Sequence, residues 1–196
     1  MPEDTQLSDS DGVFLVKTAR MAVTEFLSNG KRMKLESEYE KRFSFNSGIF
    51  VTLNNTDGLR GCIGFPMPDK KLSHGIIDAA IAAATEDPRF SPVKTNELKD
   101  IMFEVTVLTP PVEITITDPM EYLEKIKVRR DGLIIRNSFS SGLLLPQVPV
   151  EYGWNVEEFL QHTCEKAGLE KDTWKNQKVK IEKFEGIVYK EKSDGS

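Results

Sequence analysis

The chain has 196 residues, 26 basic and 31 acidic, for a formal net charge of -5. That length supports one ordinary core, or a core with a small attached lobe, and that charge gives no global attraction to nucleic acid or anionic membrane. No apolar run approaches the roughly 20 residues that span a bilayer, residues 1–10 lack the pattern of a secretory signal, and two cysteines make no disulfide framework; a cytoplasmic protein with reduced thiols is expected.

Residues 10–30 read as a helix. Leu15, Ala19, Ala22, Val23, Phe26 and Leu27 recur at helical spacing, and Asn29-Gly30 supplies the stop. Residues 31–41 are mostly charged and suit a surface excursion. Residues 49–53 then read as a strand, 54–58 as a hairpin loop, and Leu59-Arg60-Gly61-Cys62-Ile63-Gly64 as the returning strand. Alternation puts Leu59, Gly61 and Ile63 on one face and Arg60, Cys62 and Gly64 on the other. Glycines flanking the cysteine imply a ligand, a crossing chain or a bulge.

A helix near residues 70–85 follows, with Leu72, Ile76, Ala79, Ala80 and Ala83 inward. It must end around Glu86-Asp87-Pro88, because proline disfavours helical geometry at the preceding residue. Residues 101–108 form a strand whose core face carries Ile101, Phe103, Val105 and Val107, opposite Met102, Glu104, Thr106 and Leu108. Residues 113–117 resume extended chain, and Asp118-Pro119 caps a short helix ending near Lys125.

From 128 to 145 the pattern changes to short strands, with 133–136 and 143–145 bounded by Asp131-Gly132 and Ser140-Ser141-Gly142. Asn155 then caps a helix with Glu158 three residues on, and Trp154 is placed to staple onto Phe159. Its apolar face is Val156, Phe159, Leu160, Cys164 and Ala167. Residues 178–181 and 186–189 read as final strands before a polar tail of six residues. The expected class is α+β in a single domain: a largely antiparallel sheet with flanking helices and a small inserted β lobe. The larger lobe would take about 10–110 plus 147–190 and the smaller about 111–146.

With these landmarks placed, the chain resembles the AMMECR domain family over nearly its full length. The hexapeptide from Leu59 to Gly64 matches the family's signature without a departure. Asp87-Pro88-Arg89-Phe90 with Pro92-Val93 is similar to its post-helix loop, residues 104–111 to its central strand, and residues 142–148 with Glu151 and Trp154 to its late strand and helix entry. The turn Asn137-Ser138-Phe139-Ser140-Ser141 departs from the family's glycine-rich or basic approach. The resemblance implies a larger domain built from both chain ends, a smaller β lobe from the middle, and association with Memo-like or radical SAM proteins. It assigns no reaction, and the family has been discussed as a regulatory or nucleic-acid-associated module.

Cys62 is the candidate catalytic residue, since a thiol beside the Arg60 guanidinium on a partly open strand is electrostatically activated; the alternative is a small core residue. Arg60 needs a counter-charge if buried, and Glu104, alone among apolar neighbours, is the expected one. Gly61 and Gly64 complete the binding candidates on the hexapeptide. Glu86, Asp87 and Arg89 sit on a loop that one helix separates from it and are candidate walls of a pocket. Gln147, read as part of an apolar strand, and Glu151 are candidates to line a cleft.

No metal-ligand spacing exists among the histidines and cysteines, and no cofactor is expected. Cys164 belongs to a core face and His162 to a solvated one. Lysines from 171 to 183, and Lys125, Lys127, Arg129 and Arg130, have acids interleaved and read as solvated faces. Two functions follow. One is a pocket at Arg60 and Cys62 that binds or modifies a small anionic or protein ligand in a modification pathway; the other is a non-catalytic adaptor in which the hexapeptide is structural.

Overall fold

Ser8 opens the first helix, α1 (Asp9–Asn29), by accepting the Asp11 N–H while the Asp11 carboxylate accepts its own. The computed structural model to which it belongs describes residues 7–176 and 179–191. Lys178, residues 1–6 and residues 192–196 of the expected tail lie outside the described residues. Two units emerge, one from Met1–Leu108 with Ile187–Ser196 and one from Thr109–Gly186.

In the first unit, β1 (Ile49–Asn55) lies between β2 (Gly58–Phe65) and β3 (Met102–Leu108), antiparallel to both. The end of β7 (Lys180–Lys190) runs beside β3, where Glu191 donates its N–H to the Phe103 carbonyl. Leu15, Ala19, Ala22 and Val23 of α1 and Leu72, Ile76, Ala79 and Ala83 of α3 (Leu72–Thr85) share one buried cluster with Ile49, Val51, Leu53, Phe103, Val105 and Val107. The apolar alternation expected of β3 therefore faces the helices. The hairpin is tighter than expected, with strand through Asn55 and only Thr56-Asp57 between the partners. A register shift at Leu53/Asn54 accommodates it, and Leu59, grouped by alternation with Gly61 and Ile63, is 40% exposed while Gly61 is buried. The charged stretch after α1 contains a short helix, α2 (Ser37–Arg42), whose acids fall in the first turn and bases in the last, as the helix dipole favours.

In the second unit the antiparallel order is β6 (Ser141–Leu144), β5 (Asp131–Arg136), β7, then β4 (Val112–Glu113). Asp118 caps the turn into α4 (Tyr122–Lys125), and Asn155 caps α6 (Val156–Lys166) with Glu158 returning the bond. Phe159, Leu160 and Cys164 of α6 are buried in one cluster with Leu133, Ile135, Ile181 and Trp174. That packing puts residues 147–186 in this unit, whereas the sequence reading assigned them to the larger lobe. The expected pair of final strands is one continuous strand. Trp154 stacks between Tyr152 and His162, at ring separations of 4.9 and 3.9 Å, so His162 is an aromatic partner as well as a surface residue. The chain is a mixed α+β protein with antiparallel pairing and flanking helices. Among the described residues no helix is long and apolar enough to cross a membrane.

Candidate functional site

Strand register builds the site before any side chain is considered. Cys62 of β2 pairs with Thr52 of β1, and Thr52 pairs in turn with Glu104 of β3. These three side chains therefore share one face of the first unit's sheet, opposite the buried Val51 and Leu53. Thr52 Oγ1 donates to Cys62 Sγ at 3.2 Å, and Lys190 Nζ lies 2.9 Å from Glu104. A row of hydroxyl, thiol, carboxylate and ammonium results. Cys62 is partly exposed, whereas Cys164 is fully buried in the second unit. Burial pushes the Cys164 thiol up to about 11.

The main chain of Cys62 is also engaged. Its N–H donates to Asp87 Oδ2 at 2.8 Å, and its carbonyl accepts from Arg89 Nη2 at 3.4 Å. Arg89 grips the same carboxylate through Nε and Nη2, at 3.0 and 2.7 Å. Of the three strands β2, β1 and β3, β2 is the outer one beside β1, and an outer strand's unpaired N–H and C=O groups invite another strand to pair. Asp87 and Arg89 occupy that position at Cys62. The Asp87 side chain is only 2% exposed, and the Arg89 guanidinium holds its carboxyl well below the usual carboxylate range, with the Cys62 and Arg89 N–H groups adding to the effect.

Arg60 does not pair with Glu104. Its guanidinium binds Glu97 through Nε at 2.9 Å and Nη2 at 3.2 Å, while Nη1 donates to the Ser91 carbonyl at 3.0 Å. Glu97 lies in a short 3-10 turn, Thr95–Asp100, placed by the loop that follows α3. The Arg60 bonds, followed by the Lys94 N–H, hold the Glu97 carboxyl below its ordinary value. Both forks of Arg60 are thus occupied, and Glu104 is neutralised by Lys190.

Gly61 and Gly64 serve close approach. A Cβ on Gly61 would come within 2.2 Å of the Ala83 carbonyl oxygen of α3, and one on Gly64 within 2.3 Å of the Ile49 carbonyl oxygen. The hexapeptide glycines admit a helix on one face and a neighbouring strand on the other. Glu86 is exposed, and its N–H closes the last turn of α3 on Ala82. Gln147 and Glu151 are exposed on α5 (Val148–Glu151) of the second unit, so Gln147 heads a short helix and does not sit in a strand. Thr52 and Glu97 escaped sequence reasoning. For Thr52 the cross-strand register would have found it, four positions before the turn and opposite Cys62.

A family model described as AMMECR1 matches residues 16–189. Protein MJ0810 of Methanocaldococcus jannaschii is 50% identical over 187 residues, covering 94% of this chain and 92% of its own length. Protein MK0488 of Methanopyrus kandleri is 47% identical over 189 residues, covering 95% and 91%. The crystal structure of the uncharacterized protein PH0010 from Pyrococcus horikoshii matches with a TM-score of 0.78 at 46% identity, over 95% of this chain and 94% of that one. None of these names states an activity.

Proposed function

The chain belongs to the AMMECR1 family, and from that footing we propose that it receives a protein ligand on the partly exposed sheet face of the first unit, with the Cys62 thiol as the group presented to it. The observation that carries this reading is the cross-strand bond from Thr52 Oγ1 to a partly exposed Cys62 Sγ whose own main chain is held by Asp87 and Arg89. A thiol fixed at both sulfur and backbone is positioned for a repeatable contact. A protein ligand is favoured over a small anion because Arg60 is committed to Glu97 and Arg89 to Asp87. Leu59 and Met102, exposed by 40% and 39% on the strands flanking Asn54, add apolar area suited to such a contact.

The setting is a cytoplasmic modification pathway, with Memo-like or radical SAM proteins as the candidate partners. Labelling of the native protein with iodoacetamide tests the reading. Modification at Cys62 and not at Cys164, slowed when the partner protein is added, supports it; a Cys62 that labels only after unfolding overturns it. Iodoacetate, the anionic reagent, should show no rate advantage over iodoacetamide, since no guanidinium in the site is left to attract it.

A further inference from the structure

The first unit contains a cleft of ≈ 410 Å³, none of whose lining residues belongs to the hexapeptide. That volume lies in the range of small-molecule sites. Its lining falls into three chemistries. Met33 and Leu35, from the chain between α1 and α2, and Ile77 of α3 supply apolar walls. Lys34 and Glu40 supply charge at the exposed side, beside the His74 ring; Glu40 lies 3.5 Å from His74 Nε2, whereas no carboxylate pairs with Lys34 among the described residues. Ser73 supplies a hydroxyl on the buried side. It is 0% exposed, and its Oγ has no hydrogen-bond partner among the described residues.

An unpartnered hydroxyl is a cost that folded proteins seldom leave standing, and here the position lines a cavity. The main chain offers no alternative explanation, because the Ser73 N–H is already satisfied by the Phe43 carbonyl at 2.9 Å. A free cation at the mouth, apolar walls and a buried hydroxyl describe a ligand with a charge at one end and a hydrogen-bonding atom at the other.

We propose that this cleft binds a small amphipathic carboxylate, its apolar body between Met33, Leu35 and Ile77, its inner polar atom on Ser73 Oγ and its carboxylate at Lys34. The site shares no residue with the row around Cys62. It is therefore independent of the thiol reading, and a protein alkylated at Cys62 should bind the carboxylate unchanged.

The probe is 4-hydroxyphenylacetate, whose ring, hydroxyl and carboxylate match the three chemistries. Titration followed by amide chemical shifts should saturate at roughly millimolar Kd, with the shifts centred on residues of the cleft. Phenylacetate, lacking the inner hydroxyl, and 4-hydroxyphenylacetamide, lacking the charge, should each bind about five- to tenfold more weakly. Ser73→Ala should abolish the first difference without lowering Tm, because it removes a hydroxyl that bonds none of the described residues. Lys34→Met should abolish the second. Ile77→Trp, which fills the cleft, should remove binding of all three while the fold, checked by circular dichroism, persists. Three results overturn the proposal: no saturable shift with the acid, shifts centred on Cys62 and Arg89, or equal binding of the acid by Ser73→Ala. The last would mean that the buried hydroxyl does not meet the ligand.

Discussion

Asp87 accepts the main-chain N–H of Cys62 at 2.8 Å across 25 residues of sequence, and Arg89 holds the same carboxylate from two positions further on. The hexapeptide from Leu59 to Gly64 and the loop that follows α3 are thereby one structural unit. The loop completes the hydrogen bonding of an outer strand, and the strand gives a buried carboxylate a further donor beside those of Arg89.

Asp87→Asn should therefore lower stability at pH 7 by about 2 to 3 kcal/mol, the scale of losing charged hydrogen bonds at a buried site. The sign with pH follows from the depressed carboxyl. Its stabilising contribution is fully present above the ordinary value of 3.8 and is lost as pH falls towards the lower folded value. The stability gap between wild type and Asp87→Asn should then narrow below about pH 4. Urea unfolding at neutral and acid pH measures both; a gap that stays constant would mean that the carboxyl is not held by Arg89 and Cys62.

Arg60 and Glu97 should show coupling in a double-mutant cycle, of about 1 kcal/mol or more, because the guanidinium is largely buried and bound through two nitrogens. Arg60 and Glu104 should be additive within about 0.5 kcal/mol. The opposite outcome would restore the counter-charge that strand alternation suggests. Alanine variants and chemical denaturation suffice for both cycles.

That contrast shows where the sequence was legible. The hairpin around Cys62, the cap at Asn155 with Glu158, and the apolar face of β3 rest on local rules of period and capping, and each is present in the fold. Glu104 stood out as a lone acid in an apolar strand, yet its partner, Lys190, comes from the far end of the chain. Glu97 had no such prominence, since it sits in an irregular turn where no periodicity marks a side chain's direction. The glycines of the hexapeptide could be read as sites of close approach, but only packing shows that the Ala83 carbonyl is what approaches Gly61. Leu59 parts from Gly61 and Ile63 because β2 carries one extra residue, Arg60, where the register shifts opposite Leu53/Asn54.

Gly61→Ala should be destabilising by about 1 to 3 kcal/mol, as a methyl group 2.2 Å from the Ala83 carbonyl oxygen forces α3 away from the sheet. The effect should appear in Tm and also in the protection of Cys62, because α3 carries the Asp87 loop at its end. A Gly61→Ala protein with unchanged Tm would show that the helix yields at no cost, and the glycine would then need another explanation.

Cys164 offers an alkaline counterpart to the acid behaviour of Asp87. Burial raises its thiol from 9.0 to about 11, so the folded protein resists ionisation where the unfolded chain accepts it. The raised value means that this contribution to stability is intact below pH 9.0 and declines as pH rises towards about 11. Tyr122 and Tyr189, also raised chiefly by burial, act in the same direction. Stability measured by urea unfolding should accordingly fall across this interval. Cys164→Ala should fall less steeply over the same range, although cavity formation makes it less stable at every pH. The diagnostic is the slope and not the offset: parallel curves for the two proteins would show that the Cys164 thiol ionises as readily inside the second unit as in the unfolded chain.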